Sequence, residues 1–476
     1  MTTTTADLVP RDVLFGNPEK AQGRISPDGK RLSYLAPVDG VLNVFVGAVD
    51  GDEFTPVTDD RDRGILTYAW AHDDRHLLYL QDKGGDENWR LYSVDLDTGT
   101  VGDLTPFDNV QAQIVRLSKR HPNAGLIALN KDNEQLHDVY RLDFTTGALE
   151  KVVENPGFIQ WMADDDLNVR TALAPAAGGS FTLMHRAVGE EAWKPLIEFG
   201  ADDAPTTQPV MGFTADGGSA YIVSSQDANT GRLLRVDLAT GVEEVLAEDP
   251  QYDVASVVLH PDTRALQMVT FERDRLEHEV IDVAVADDVA GLRQLHSGDF
   301  VLASRDRDDR TWLVAFTADD GPVAFFAWDR ETKSGRLLFT HRPSLEQYVL
   351  AKVEPFSYTA RDGLVIHGYL TFPPGVDRTA LPTVLNVHGG PWARDSWGFN
   401  PESQWFANRG YLAVQVNYRG STGFGKQFLN AGDREWGGKM HDDLLDAVDW
   451  VVEHGYADRE KVAIYGASYG GYAALA

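Results

Sequence analysis

The chain repeats itself. From about residue 20 to about residue 345, two independent landmarks recur at near-constant spacing, and such periodicity restricts a fold more than any single motif does. The first landmark is an apolar run ending in aspartate, often followed by Thr-Gly. It stands at Asp50, Asp95, Asp143, Asp237, Asp282 and Asp329, with spacings of 45, 48, 94, 45 and 47 residues. The long interval is two periods, and its degenerate middle copy falls near Arg186. The second landmark is a polar turn between two strand-like runs, at Asp28, Asp73, Asn123, Asp165, Asp216, Asp262 and Asp308. Each landmark counts seven units, and each unit has room for about four short strands, the signature of a β-propeller blade. Asp and Gly suit hairpin turns because these need positive φ or a side chain that hydrogen-bonds its own backbone. The repeated aspartates are therefore expected to be scaffold, not metal ligands. The mixed-sign runs 59–62 and 305–309 are expected to be solvated turns, and 82–89 a polar hairpin.

Around residue 345 the pattern changes. Two strands, 353–360 and 364–372, are joined at Arg361-Asp362-Gly363, a strong hairpin signal. An apolar run, 383–387, has the look of a strand buried on both faces and leads into His388-Gly389-Gly390-Pro391. A further strand, 411–416, precedes Asn417-Tyr418-Arg419-Gly420-Ser421-Thr422-Gly423-Phe424-Gly425. Residues 440–454 predict an amphipathic helix with Met440, Leu444, Ala447 and Val451 on one face. Asp442 and Asp443 at its start are expected to cap it or face solvent. The final stretch, Lys461 to Ala476, reads as strand, tight turn and helix with Ser468 at the apex. Gly466 and Gly470 flank that serine in a G-x-S-x-G pattern, a turn that projects a nucleophilic hydroxyl above a sheet. In such an architecture the loop after the third strand and the residue after the nucleophile supply the oxyanion-hole N–H groups. Pro391 has no N–H, so Gly390 and Tyr469 are the candidate donors. His388 fits that loop better than it fits a general base. The aromatics Trp392, Trp397, Phe399, Trp405, Phe406 and Tyr411 are expected mostly to pack core or domain contacts, with some facing the site.

The expected fold is an all-β seven-bladed propeller (21–345), preceded by an N-terminal segment (1–20) and followed by an α/β-hydrolase domain (346–476). The net charge of −30 argues against nucleic acid and anionic membrane as partners. There is no cysteine, which excludes disulfides, thiolate metal sites and cysteine nucleophiles. No cofactor or metal is called for. The N-terminus has neither the basic nor the apolar region of a signal peptide, and no apolar run reaches membrane-spanning length. The expected location is the cytoplasm, and a homo-oligomer stays possible.

The propeller followed by HGGP, NYRGSTGFG and YGASYGGYAAL resembles the prolyl oligopeptidase family of serine peptidases, and looks most like its acylaminoacyl-peptidase branch. The resemblance implies hydrolysis of short peptides through an acyl-enzyme on Ser468, with Gly390 and Tyr469 holding the oxyanion. In the prolyl and dipeptidyl members a tyrosine stands where His388 is, which argues against strict post-proline cleavage. No paired-glutamate helix of the kind dipeptidyl peptidases use is apparent. The family's triad Asp and His follow the nucleophile and have no counterpart before Ala476, so this chain is expected to be a truncated enzyme with at most residual activity. Two other readings stay open: an esterase built on the same turn, and a non-catalytic propeller binding module with a vestigial hydrolase segment.

Overall fold

The structure, a computed structural model, describes residues 7–476; residues 1–6 of the N-terminal segment lie outside the described residues. Seven antiparallel sheets follow one another along residues 21–340. Six have four strands in sequential order and one has three. The cores lie between neighbouring blades. Leu78 and Leu91 of blade 2, for example, bury themselves against Ile127, Leu129 and Tyr140 of blade 3. Among the described residues no strand is exchanged between blade 1 and blade 7. Their junction is an apolar cluster including Ile25, Tyr34, Leu313 and Phe339. It is reinforced by Ile25 N–H on Ser304 Oγ (2.9 Å), Arg307 N–H on the Pro27 carbonyl (2.6 Å) and an Arg336–Asp50 pair.

The turn aspartates mostly do what their spacing predicts. Asp95, Asp143, Asp237 and Asp329 each accept N–H groups two and three residues on, fixing the turn between the third and fourth strands. The second landmark needs correction in four blades. The side chains that cap those turns are Ser118, Asp164, His260 and Asp306, which leaves Asp165 and Asp262 free to face elsewhere. Blade 6 departs further. Its third strand ends at Val280, and a helix, Ala286–Leu295, replaces the fourth. Val285, Val289 and Leu292 recur at helical spacing and pack on Trp312 and Trp328. Asp282, expected at a strand end, instead accepts the Ala284 N–H and opens that helical segment. The run 305–309 is not a solvated turn either: Asp309 is buried, accepting the Trp312 indole N–H at 2.7 Å and pairing with Arg305 and Arg330.

The second unit is a five-stranded sheet. Its strands are β1 (Val353–Thr359), β2 (Val365–Thr371), β3 (Leu381–Val387), β4 (Leu412–Asn417) and β5 (Ala457–Gly466), in the order β1-β2-β4-β3-β5. β1–β2 is the predicted hairpin, with Gly363 at φ 94°. β3 pairs in parallel with both β4 and β5 and is buried along most of its length, because helices cover both faces. Those helices are α1 (Pro401–Asn408), α2 (Lys426–Asn430), α3 (Lys439–Glu453) and α4 (Tyr469–Leu475).

The two units meet over blades 5 to 7. The Arg394 guanidinium donates to the carbonyls of Glu272 (2.8 Å) and Arg273 (3.0 Å), and Lys426 pairs with Asp203. Arg275 stacks over Trp397, and His341 meets Phe399 edge-on. The N-terminal residues reach across as well: Val9 and Leu14 join a cluster with Leu345 and Leu350, and Phe15 packs on Trp405.

Candidate active site

Three loops leave the carboxyl ends of the parallel strands β3, β4 and β5, the end at which open α/β sheets place their ligands. Ser468 sits between β5 and α4 with φ 55° and ψ −120°. A non-glycine residue rarely adopts positive φ, and the strain here holds the side chain clear of both flanking elements. The flanking glycines are demanded by contact. A Cβ on Gly466 would lie 2.6 Å from the Val387 carbonyl oxygen, and one on Gly470 only 2.1 Å from the same atom. α4 therefore starts hard against the end of β3.

The loop after β3 lies alongside. The Cβ direction of Gly389 points at Ser468, 3.2 Å from its Cβ. Neither the Gly390 N–H nor the Tyr469 N–H donates a hydrogen bond among the described residues. Tyr469 is the first residue of α4, where a backbone donor has no partner within its own helix. These are the two N–H groups named from the sequence, both unspent; Tyr469 follows Ser468 directly, and Gly390 follows the glycine whose Cβ direction meets it.

His388 is occupied elsewhere. Its Nε2 meets Ser421 Oγ at 3.0 Å, and its ring stacks on Tyr418 with centroids 4.5 Å apart. Burial pushes it down to about 4, keeping it neutral. It is a strut between the β3 and β4 loops, and no histidine among the described residues hydrogen-bonds Ser468 Oγ.

Sequence reasoning assigned no role to the β4 loop, yet it ties the site together. The Tyr418 hydroxyl donates to the His388 carbonyl at 2.9 Å, and its ring packs against Tyr469. Arg419 runs inward and holds two carboxylates, Asp443 on α3 (2.7 and 2.8 Å) and Asp362 on the β1–β2 turn (2.7 and 2.9 Å). Asp443 is thus neither a cap nor solvated, as the sequence suggested. It is fully buried, and burial raises its carboxyl against the opposing pull of Arg419. Only Asp442 behaves as expected, pairing with Arg361 at the surface. One further carboxyl was missed. Asp395, in the loop after β3, is half-buried with its carboxylate turned inward: Oδ1 accepts from Gln415 at 2.7 Å, and Oδ2 is buried with no partner among the described residues. Burial first, then nearby Glu402, pushes it up to about 7.

Of the six aromatics singled out from sequence, Trp397 and Phe399 pack across to the propeller and Trp405 against Phe15. Trp392, directly after the β3 loop, is 64 % exposed. The rings that surround Tyr469 come from other positions: Tyr418, Trp436 and Tyr472.

The sequence profile of the prolyl oligopeptidase family matches residues 397–476. Over 98% of its length the chain is 42% identical to dipeptidyl aminopeptidase BIII of Pseudoxanthomonas mexicana, covering 69% of that protein. It is 33% identical over 99% of its length to dipeptidyl peptidase family member 6 of Caenorhabditis elegans, again covering 69% of the relative. Among solved structures, a puromycin-hydrolyzing peptidase of Mycobacterium tuberculosis superposes with a TM-score of 0.74 at 18% identity, over 99% of this chain and 77% of that one. A strained serine on a strand-to-helix turn, a glycine loop against it, a seven-bladed propeller beside it and relatives of this similarity lead to one assignment: the chain belongs to the prolyl oligopeptidase family of serine peptidases.

Proposed function

We propose that the protein hydrolyses short peptides through an acyl-enzyme on Ser468. The observation that carries this reading is Ser468 at φ 55°, with the glycine loop after β3 packed against it and the Gly390 and Tyr469 N–H groups unspent. The hydroxyl attacks the scissile carbonyl, its proton passing to a base. The carbonyl oxygen becomes an oxyanion held by Gly390 and Tyr469, the amine leaves, and water releases the acyl group. One such donor contributes about 3–4 kcal/mol to the transition state. His388 is not the base, since its Nε2 is engaged by Ser421.

Both relatives above are named as dipeptidyl peptidases, which favours release of dipeptides from free N-termini over removal of acylated residues. The test is hydrolysis of a dipeptidyl aminomethylcoumarin beside its N-acetylated twin. Expected is a Ser468-dependent rate, lost in Ser468→Ala, and higher for the free amine. Preference for the acetylated substrate would move the reading to acylaminoacyl release. A rate that survives Ser468→Ala would remove the serine mechanism.

A further inference from the structure

The turns that touch the hydrolase unit join second to third strands, as at 225–231 and 273–275. Strands alternate in direction, so the turns joining first to second strands gather at the far end of the propeller. There they surround a cavity of about 340 Å³ lined from blades 1, 2, 3, 4, 6 and 7, so it sits on the propeller axis. Its charge is the reverse of the chain's. Six cationic side chains line it against two carboxylates, Asp165 and Asp306, in a protein of net charge −30.

Most of these cations are already engaged. Asp165 is shared by Arg116 of blade 3 and Arg264 of blade 6, and Lys119 reaches across to Asp262. Arg307 pairs with Asp74 at 2.6 Å, and Arg305 with Asp309 at 3.1 Å. Asp306 is spent on the Arg310 and Thr311 N–H groups. Arg24 remains. It comes from the innermost strand of blade 1 and lies over the Tyr68 ring at 5.5 Å. Among the described residues it makes no ion pair and its guanidinium donates no hydrogen bond, while its Nε is buried without a partner. The five other cations are matched by five carboxylates at or beside the cavity, so a half-buried guanidinium left over from that pairing lacks a counter-anion. Its planar fork suits two oxygens of a carboxylate or phosphate. Nearby His72, lining the same cavity, is held down to about 4 by burial and then by Arg307, Arg116 and Lys119, as a positive local field requires.

We propose that the far mouth of the propeller axis is a binding site for a small oxyanion, a carboxylate or a phosphate, with Arg24 as its principal contact. The site is separate from Ser468 and does not depend on the peptidase reading.

Isothermal titration calorimetry on the 476-residue chain at constant ionic strength tests it, using inorganic phosphate, trialanine as the free acid, and trialanine amide. Expected is one-site binding of phosphate, of the free acid or of both. That binding should weaken at least tenfold in Arg24→Gln and recover in Arg24→Lys. Phosphate alone would identify a phosphate source; the free acid alone would identify a peptide carboxylate. Absence of binding, equal binding of the amide, or binding indifferent to Arg24→Gln overturns the proposal. If Arg24→Gln does not fold, Lys119→Gln on blade 3, lining the same cavity, carries the same comparison.

Discussion

Ser468 and Asp395 are each held in a state their side chains would not choose in water, and each yields a measurement. For Ser468 the cost is backbone strain, stabilised by packing of α4 on β3. Ser468→Ala keeps that backbone, so it should remove acyl-enzyme formation with a fluorophosphonate while the melting temperature stays within a few degrees. For Asp395 the cost is burial. Its carboxyl stays protonated to about pH 7 in the fold and ionises near pH 4 in the unfolded chain. Between those values the folded state binds the extra proton, so this residue's contribution to stability falls as pH rises through the window. Asp395→Asn should flatten that fall. At pH 8 the variant should be the more stable by roughly 2–4 kcal/mol, read from denaturant midpoints.

At the scale of elements, the close approach of β3 and α4 and the anchoring of the β4 loop make separate predictions. Gly470→Ala drives a methyl into the Val387 carbonyl. The turn must shift, costing at least about 1–3 kcal/mol and displacing the Tyr469 N–H, so Ser468 labelling should slow more than stability alone explains. Arg419→Ala strands Asp443 in the core, at about 3–5 kcal/mol by chemical denaturation. Elements of this kind were unevenly legible. The turn around Ser468 could be read because its glycines, its serine and the β-run before it are contiguous in sequence. The seven units could be read because aspartate recurs where a turn needs its carboxylate. Asp443 could not, because position on a helix suggests a cap, and only the fold brings Arg419 from a distant loop to meet it. The helix in blade 6 was hidden by its neighbours: Val285, Val289 and Leu292 are too few to outweigh six units of strand pattern. Asp165 and Asp262 looked like turn residues because each sits one or two positions from the residue that does that work.

Across the whole molecule, the hydrolase unit is coupled to the propeller by side chains that reach into its turns. Arg394 is central among them, spanning from the β3 loop to the turn at 272–273 and lying over Phe424. Arg394→Ala should raise amide exchange in residues 272–275 and in the 417–425 loop together, while exchange in blades 2 and 3 stays unchanged. The propeller has its own asymmetry. Six of its seven neighbour junctions are crossed by the backbone, and the one between blades 1 and 7 is not. It behaves as the clasp of a bracelet, fastened by greasy contacts and a few polar hooks. Prising apart any other neighbours pulls on a covalent link, but this clasp can spring and reseat with every blade intact, so the ring can widen without any blade unravelling.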